Sequence, residues 1–128
     1  MKYLLDTNAW IGFFQGQAGF GIRAKRIMSD SPVDCCISIA SIWEASIKIG
    51  IGKLKLPYDL EEDLPGLVSQ SGFGMLPITF AEAAGVGNLA QIHGDPFDRI
   101  MVSQARLNGL KIISRDPVFE SYGISRIW

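Results

Sequence analysis

The sequence predicts an α/β fold in which a parallel sheet is covered by helices on both faces. Short apolar segments alternate with longer segments of helical spacing along the chain. The connections between the short segments are long enough to be the crossovers that parallel strands require. The 128 residues, of which 48% are hydrophobic and 20% charged, supply enough apolar surface for the core of one domain spanning residues 1–128.

Five segments are predicted strands because they are brief, rich in Ile, Leu, Cys or Phe, and bounded by Gly, Pro, Ser or Asp. They are residues 2–5, 34–38, 72–78, 111–114 and 124–128. The predicted helices between them are residues 8–14, 22–29, 39–49, 60–70, 80–90 and 96–108. In the first of these helices, Trp10, Phe13 and Phe14 share one stripe, which favours packing in the core or in a dimer over stacking on a nucleic-acid base.

Charge and cysteine content narrow the expected partners and location. The net charge of −1 provides no global basic field for nucleic acid or an anionic membrane, although residues 58–98 hold seven acids and no base. The two cysteines are adjacent, and a disulfide between neighbours is strained, so a reducing cytoplasm is expected. Asp6 comes too early for a signal peptide, and glycines, amides or prolines break the longest uncharged stretches, so no membrane partner is expected.

Three short motifs suggest chemistry that their context does not support. Residues 85–90, Gly-Val-Gly-Asn-Leu-Ala, match the letters of a dinucleotide fingerprint, but they follow a helical segment and no acid lies about 20 residues on. Asp6-Thr7-Asn8 resembles the nucleophile motif of haloacid-dehalogenase-like phosphatases but lacks its second acid. His93 has no second histidine or cysteine nearby, and it is interpreted as a loop residue in preference to a contact with substrate phosphate.

Four carboxylates each have a structural explanation when they are considered singly. Asp6 and Asp116 could cap the helix and the turn that follow them. The segment Asp95-Pro96-Phe97-Asp98 has the form of a helix start, with a capping acid, a proline in the first turn and a second acid three residues after the cap. Glu44 precedes Lys48 by four residues, which is the favoured spacing of a surface ion pair.

Considered together, the same carboxylates predict a metal site. Asp6 and Asp116 follow the first and fourth predicted strands, and open α/β sheets bind ligands at the carboxyl ends of their strands. Glu44 lies about two helical turns beyond the second strand, and Asp98 lies in the first turn of the helix before the fourth strand. Four converging carboxylates favour Mg²⁺, with Mn²⁺ as a substitute, and such an ion can activate a water for phosphate-ester hydrolysis.

The residues around these carboxylates resemble the PIN-domain family, and within it the VapC-like toxin ribonucleases of bacterial toxin–antitoxin pairs. Four blocks carry the resemblance: Leu4-Leu5-Asp6-Thr7-Asn8, Ser41-Ile42-Trp43-Glu44-Ala45-Ser46, Asp95-Pro96-Phe97-Asp98-Arg99 with Gln104-Ala105, and Ser114-Arg115-Asp116-Pro117. They stand in the family's order between residues 4 and 117, so the resemblance covers nearly the whole chain. Each block alone is weakly specific, and the four together are highly specific.

The resemblance implies a PIN-like three-layer sandwich whose five-stranded parallel sheet has the order 3-2-1-4-5, with Asp6 beside Asp116. It also implies hydrolysis of RNA phosphodiesters by a water that Mg²⁺ activates. Asp6 and Asp98 would be the metal ligands, and Glu44 and Asp116 would complete the catalytic cluster.

Further residues are expected to support this site. The resemblance places Thr7 and Ser114 where the family has hydroxyls that orient the carboxylates. Asp95 is interpreted as the helix cap. Arg99 and Arg115 flank the site and could contact phosphate oxygens or act as surface counter-charges. Two groups of basic residues could form a track for RNA or be solvated charges: Arg23, Lys25 and Arg26, and Lys48, Lys53 and Lys55.

The sequence leaves three functions open. The first is a homodimeric, cytoplasmic toxin endoribonuclease that a cognate antitoxin silences by inserting a peptide into its groove. The second is a catalytically inactive PIN-like protein-binding module whose acids only cap helices, which requires that the acids do not converge. The third is a DNA-directed nuclease of the same chemistry, because no residue pattern reads a 2′-hydroxyl.

Overall fold

A five-stranded sheet forms the centre of the computed structural model, which describes all residues from Met1 to Trp128. Every pair of neighbouring strands is parallel, and the order is β3-β2-β1-β4-β5. The strands are β1 Tyr3–Leu5, β2 Cys35–Ser38, β3 Gly74–Leu76, β4 Lys111–Ile113 and β5 Arg126–Ile127. The parallel sheet that the sequence predicts is confirmed, and so is the strand order that the family resemblance implies.

Seven α-helices connect and cover the strands. They are α1 Thr7–Phe14, α2 Ile22–Asp30, α3 Ile39–Gly50, α4 Leu64–Ser71, α5 Phe80–Gly85, α6 Pro96–Asn108 and α7 Val118–Ser121. Turns of 3-10 helix precede β2 at Pro32–Asp34 and follow α5 at Val86–Asn88. None of the helices combines the length and the apolar character that crossing a membrane requires.

Element boundaries differ from the sequence prediction where turn chemistry intervenes. The helix predicted at 60–70 begins only at Leu64, because the Asp59 carboxylate accepts two backbone N–H groups and holds the preceding residues in a turn. The strand predicted at 72–78 is short, because Gly72 ends α4 with a left-handed φ of 86°. The helix predicted at 80–90 ends at Gly85, and α7 forms where the sequence predicts only a turn.

The sheet separates two hydrophobic cores. Leu5, Cys35 and Ile113 belong to the core that contains α1, α2 and α4, whereas Leu4 and Cys36 belong to the core beneath α6 and α7. Successive residues of a strand point to opposite faces, which explains this division. The thiols of Cys35 and Cys36 are therefore free and buried on opposite sides, and burial raises their pKa values to about 12 and about 11.

Candidate functional site

Asp6 lies at the carboxyl end of β1, where the sheet order places β1 against β4. The pairing of the two strands extends to this point, since the Asp6 N–H donates to the Ile113 carbonyl at 3.1 Å. Asp6 Oδ1 accepts a 2.7 Å hydrogen bond from the Ala9 N–H and caps α1, as the sequence predicts. Ser114, in the turn after β4, hydrogen bonds with the Asp6 carboxylate. β1 and β4 thus fix this carboxylate at the sheet edge.

The carboxylate of Asp6 has an unfavourable environment for its charge. Asp6 is only 9% exposed, and burial is the largest cause that raises its pKa to about 6. Hydrogen bonds from Ser114 and Ala9 lower the pKa, whereas the charges of Glu44 and Asp116 raise it further. Three of the four carboxylates that the sequence singles out therefore act on one another electrostatically at this edge.

A chain of hydrogen bonds fixes Glu44 on α3 to residues of α1. Trp10 Nε1–H donates to Ser41 Oγ at 2.8 Å, and Ser41 Oγ lies 2.6 Å from Thr7 Oγ1. Thr7 Oγ1 donates to Glu44 Oε1 at 2.6 Å. Because the Thr7 hydroxyl has one hydrogen and gives it to the carboxylate, the Ser41 hydroxyl must donate to Thr7. The bonds therefore run in one direction, from the indole to the carboxylate.

Lys48 balances part of the acidic charge. Its Nζ lies 2.8 Å from Glu44 Oε2, which confirms the ion pair predicted from the four-residue spacing. The pair differs from a surface ion pair because its acidic member is buried: Glu44 is only 7% exposed. The hydrogen bond to Glu44 is the largest cause of a raised Lys48 pKa, and the charges of Glu44, Asp95 and Asp98 contribute to it. Lys48 thus faces three of the acids.

The first turn of α6 supplies Asp95 and Asp98. Asp95 Oδ1 accepts from the N–H groups of Phe97 at 2.9 Å and of Asp98 at 3.1 Å, so Asp95 is the helix cap that the sequence predicts. Burial raises the pKa of Asp98 to about 6, a hydrogen bond from His93 lowers it, and the charges of Asp95 and Glu44 raise it. Asp6 and Asp98 are thus alike in being partly or fully buried carboxylates with a raised pKa.

His93 contacts the site, although its sequence context predicts only a loop residue. Its Nε2 lies 3.1 Å from Asp98 Oδ2, and its Nδ1 lies 2.7 Å from the hydroxyl of Tyr122. Tyr122 also accepts a 3.0 Å hydrogen bond from Arg99. The short separation of His93 and Asp98 along the sequence could have indicated their contact. The contact with Tyr122 could not be predicted, because it depends on the packing of α7 against α6.

The two arginines that flank the acids have different environments. Arg99 is only 7% exposed, and its guanidinium donates to the carbonyls of Ala90 and His93 and to Tyr122. Contact between Arg99 and phosphate stays a prediction, but the burial of its guanidinium and the bonds of Nη1 and Nη2 to protein groups leave few of its N–H groups free for it. Arg115 is exposed and lines a cavity of about 650 Å³ together with Asp6 and Asp116.

Asp116 is the most exposed of the four acids. Its Oδ1 accepts from the Val118 N–H at 2.9 Å, and its own N–H donates to Ser114 Oγ at 3.0 Å. Asp116 therefore caps the turn that leads into α7, as the sequence predicts. Its second oxygen has no hydrogen-bond partner in the protein, and the residue lines the same cavity as Asp6.

Some aromatic side chains lie in the hydrophobic core, and others line the cavity. Trp10 is fully buried, and Phe13 and Phe14 pack against Phe73 with ring centroids 5.3 and 5.8 Å away. The expectation that this stripe packs in the core instead of on a base is confirmed. The aromatic residues that line the cavity are Phe20 and Trp128, which no local pattern in the sequence marks. Lys55 is the one member of the predicted basic track that lines it.

The residues fit a hard divalent cation held by few protein ligands. No three His, Cys, Asp or Glu side chains form a group that could hold a metal ion by themselves. Mg²⁺, however, is commonly bound by one or two carboxylates and keeps several waters. Asp6 and Asp98 supply carboxylate oxygens, and burial is the largest cause of the raised pKa of each, followed by smaller effects that include the charge of Glu44. The donor chemistry therefore suits an ion bound by these two carboxylates and by water.

Comparisons with known proteins identify a matching family and several solved structures with a similar fold. A family model described as PIN domain matches residues 3–124. The structure is similar to a DNA-bound VapBC from Salmonella typhimurium, with a TM-score of 0.74, 19% identity and coverage of 99% of this chain and 97% of that chain. It is similar to VapC20 of Mycobacterium tuberculosis, a sarcin-ricin loop cleaving toxin, with a TM-score of 0.69, 15% identity and 98% coverage of both chains.

A toxin–antitoxin complex from Klebsiella pneumoniae is a further similar structure. Its TM-score is 0.65 at 22% identity, with coverage of 99% of this chain and 97% of that chain. The comparison with curated proteins gave no significant match. At these identities the structural similarity shows the fold, and the family model shows the family.

Proposed function

Because the chain belongs to the PIN-domain family, we propose that it is a Mg²⁺-dependent endoribonuclease and the toxin of a toxin–antitoxin pair. The observation that carries the proposal is the pair of carboxylates with raised pKa, Asp6 and Asp98, on both of which the charge of Glu44 acts. The similarity to VapBC structures and to a toxin that cleaves the sarcin-ricin loop supports the choice of function within the family.

In the proposed mechanism, Asp6 and Asp98 would hold Mg²⁺ or Mn²⁺, and the bound ion would supply a water of lowered pKa and compensate charge on the scissile phosphate. Thr7 orients Glu44 through its 2.6 Å hydrogen bond, and Ser114 orients Asp6. The free oxygen of Asp116 can accept a hydrogen bond from a water in the cavity.

In this mechanism, positively charged side chains compensate the negative charge of the RNA phosphates. Arg115 is exposed beside Asp6 and Asp116, so its guanidinium can donate to phosphate oxygens as the RNA approaches. Lys48 compensates Glu44 and reduces the repulsion that a phosphate would meet from the acids. Arg99 has an indirect role in this mechanism: its hydrogen bonds to the carbonyls of Ala90 and His93 hold the segment that positions His93 beside Asp98.

The competing hypothesis is an inactive protein-binding module, and the capping bonds of Asp6, Asp95 and Asp116 agree with it. Two features of the site favour catalysis over this hypothesis. Helix capping does not require burial, yet Asp6 is 9% exposed and has a raised pKa. Glu44 caps no helix and is nevertheless buried and held by Thr7 and Lys48. A structural role alone gives no reason for keeping these charges together.

A cleavage assay with purified protein tests the proposal. Single-stranded RNA should be cut with Mg²⁺ or Mn²⁺ and left intact with EDTA, and single-stranded DNA of the same sequence should be cut more slowly. Asp6→Asn, which changes volume little, should abolish cleavage, whereas the exposed Asp30→Asn should retain it. Equal cutting of RNA by a sample that elemental analysis shows to be free of metal would overturn the mechanism. Preference for DNA would instead favour the DNA-directed nuclease.

The proposed partners are a cognate antitoxin and a second copy of the chain, and the proposed location is the cytoplasm. Exposed apolar side chains on α3, including Ile39, Trp43 and Ile47, support a surface that a partner covers. Expression of the chain alone should slow bacterial growth, and Asp6→Asn should relieve this effect. Co-expression of a short protein encoded upstream should also relieve it, and sedimentation velocity measures whether the chain alone is a dimer.

A further inference from the structure

We infer that the cavity beside Asp6 and Asp116 is a nucleobase subsite, in which one unstacked base of the RNA lies against Phe20 and Trp128. The inference rests on the proposed RNA cleavage and adds the position at which the protein binds one base of the RNA. The cavity has a volume of about 650 Å³. This lies within the range of roughly 300–1,000 Å³ for sites of small ligands, so one nucleotide fits.

The charges around the cavity match a nucleotide bound across the acidic edge. Asp6 and Asp116 form the wall at the sheet edge, where the scissile phosphate would lie. Arg115 and Lys55 line the same cavity and are both exposed. Two cations next to the carboxylates can bind the phosphates on either side of the base, since guanidinium and ammonium groups are the usual phosphate donors.

An aromatic platform occupies another wall. The rings of Phe20 and Trp128 lie with centroids 5.0 Å apart at an interplanar angle of 32°. Both side chains pack against the larger core and yet remain partly exposed towards the cavity. Every nucleobase has a π-face that stacks on such rings, but only when the base is not already stacked in a duplex. The platform therefore predicts a single-stranded or looped substrate.

Two glycines make room for this platform. A Cβ atom at Gly21 would lie 1.9 Å from the backbone carbon of Trp128 and 2.5 Å from its oxygen, so only glycine lets the Trp128 backbone sit there. A Cβ atom at Gly12 would lie 3.0 Å from the edge of the Phe20 ring. Each ring also packs on the other and on the larger core, and this restriction reduces the conformational entropy that stacking a base would otherwise remove.

Side-chain amides supply groups for the edge of the base. Gln17 Nε2 donates to Gln15 Oε1 at 2.6 Å. This bond leaves the Gln17 oxygen as an acceptor and the Gln15 amide hydrogens as donors, and both residues line the cavity. Each RNA base has donors and acceptors on its edges, so the pair can recognise a base that stacks on the platform.

The experiment measures binding without cleavage. Wild-type protein is titrated in EDTA with short RNA oligonucleotides in which one position at a time is abasic, and affinity is read by fluorescence anisotropy. One position should lose about tenfold in affinity on removal of its base, the scale of one stacked base. 2-Aminopurine at that position, and at no other, should be quenched on binding because it stacks on an aromatic ring.

Variants assign the effect to the platform. Phe20→Leu and Trp128→Leu should remove the difference between base and abasic RNA at that position, and Trp128→Phe should retain part of it. Phe80→Leu is the matched control, because Phe80 is 91% exposed and does not line the cavity. Circular dichroism and thermal melting check that each variant folds, and the 2-aminopurine measurement needs no variant.

Two outcomes separate this inference from the proposed function. If RNA is cleaved but no position depends on its base, or 2-aminopurine is quenched nowhere, the nucleobase subsite is wrong and the nuclease stands. If one position depends on its base and on Trp128 but no RNA is cleaved with Mg²⁺, the subsite stands and the proposed catalysis is wrong.

Discussion

Three acidic residues of this protein use one carboxylate oxygen to cap a backbone segment. Asp6, Asp95 and Asp116 each accept backbone N–H groups at the start of a helix or turn. Asp98 differs, because its hydrogen-bond partner is the side chain of His93. Capping explains where the first three carboxylates are held, so it does not by itself separate the proposed catalytic role from a structural one.

Substitution of Asp95 and Asp98 separates capping from catalysis. Asp95→Ala removes the acceptor for two backbone N–H groups, so it should lower the free energy of unfolding by about 1 kcal/mol and reduce cleavage only in part. Asp98→Asn should abolish cleavage with Mg²⁺, yet leave the metal-free stability unchanged or higher, because it removes a partly buried charge and relieves repulsion from Asp95 and Glu44. Urea unfolding in EDTA and cleavage rates in Mg²⁺ are the measurements. An Asp98→Asn protein that unfolds more easily and still cuts RNA would contradict the assignment.

The raised pKa of Asp6 predicts how metal-free stability depends on pH. Its pKa rises from 3.8 to about 6 on folding, so the native state favours the protonated form. The contribution of Asp6 to stability is therefore full below about pH 4 and is lost as the pH rises through about 6. At neutral pH, Asp6→Asn should raise the free energy of unfolding by roughly 2–3 kcal/mol, and this gain should shrink towards zero near pH 4.

Urea unfolding in EDTA between about pH 4 and 8 measures this difference. The exposed Asp30→Asn serves as the control, because it removes one negative charge without removing a buried one. A difference between wild type and Asp6→Asn that stays constant with pH would show that desolvation does not act on this carboxylate.

At the scale of elements, α1 and α3 form a unit in which packing and site geometry depend on the same hydrogen bonds. Trp10 belongs to the hydrophobic core and is fully buried, yet its indole N–H begins the chain that ends on Glu44. Helix α6 is held in a comparable way by Arg99, whose guanidinium links it to the segment before it and to Tyr122. The position of the proposed catalytic acids is therefore determined by helix packing.

Ser41→Ala tests the link between α1 and α3. The substitution leaves the buried Trp10 N–H without an acceptor, which should cost about 1–3 kcal/mol of stability. It also removes a hydrogen-bond donor to Thr7, so cleavage should fall several-fold while Asp6 and Asp98 remain in place. Ser46→Ala on the same helix is the matched control, because Ser46 is exposed. Thermal melting and cleavage rates that are equal for the two variants would show that the chain of bonds has no such role.

At the scale of the whole molecule, the strand order assembles the site. Because β1 lies between β2 and β4, the segments after all three strands lead to one edge of the sheet. Asp6, Glu44 and Asp116 come from those three segments. The charge of Asp6 is disfavoured here first by burial and then by the charges of Glu44 and Asp116, and binding of a divalent ion would offset both effects.

Mg²⁺ should therefore stabilise the folded protein. An ion that binds only the native state at a concentration 100 times its dissociation constant adds about 2.7 kcal/mol to the free energy of unfolding. Thermal melting should show a rise in Tm with Mg²⁺ that EDTA reverses. The rise should be larger at pH 7.5 than at pH 5, where Asp6 and Asp98 are largely protonated, since both have pKa values of about 6. Asp98→Asn should lose most of the shift, and a shift equal to that of wild type would argue against Asp98 as a ligand.

The sequence by itself determined the features that depend on near neighbours along the chain. Strands and helices follow from the spacing of apolar residues, and the caps at Asp6 and Asp95 involve backbone groups within three residues. The pair of Glu44 and Lys48 spans one helical turn. The family resemblance then supplied the strand order, which local patterns do not specify.

Only the tertiary structure decided which side chains meet across elements. Thr7 of α1 donates a hydrogen bond to Glu44 of α3, and Phe20 packs on Trp128, which is 108 residues later in the sequence. The burial of Arg99 and its hydrogen bond to Tyr122 also depend on a residue that lies 23 positions later in the chain. The physical reason is that hydrophobic burial fixes which helices pack on each face of the sheet, and polar side chains then pair with whatever partners that packing brings within hydrogen-bond distance.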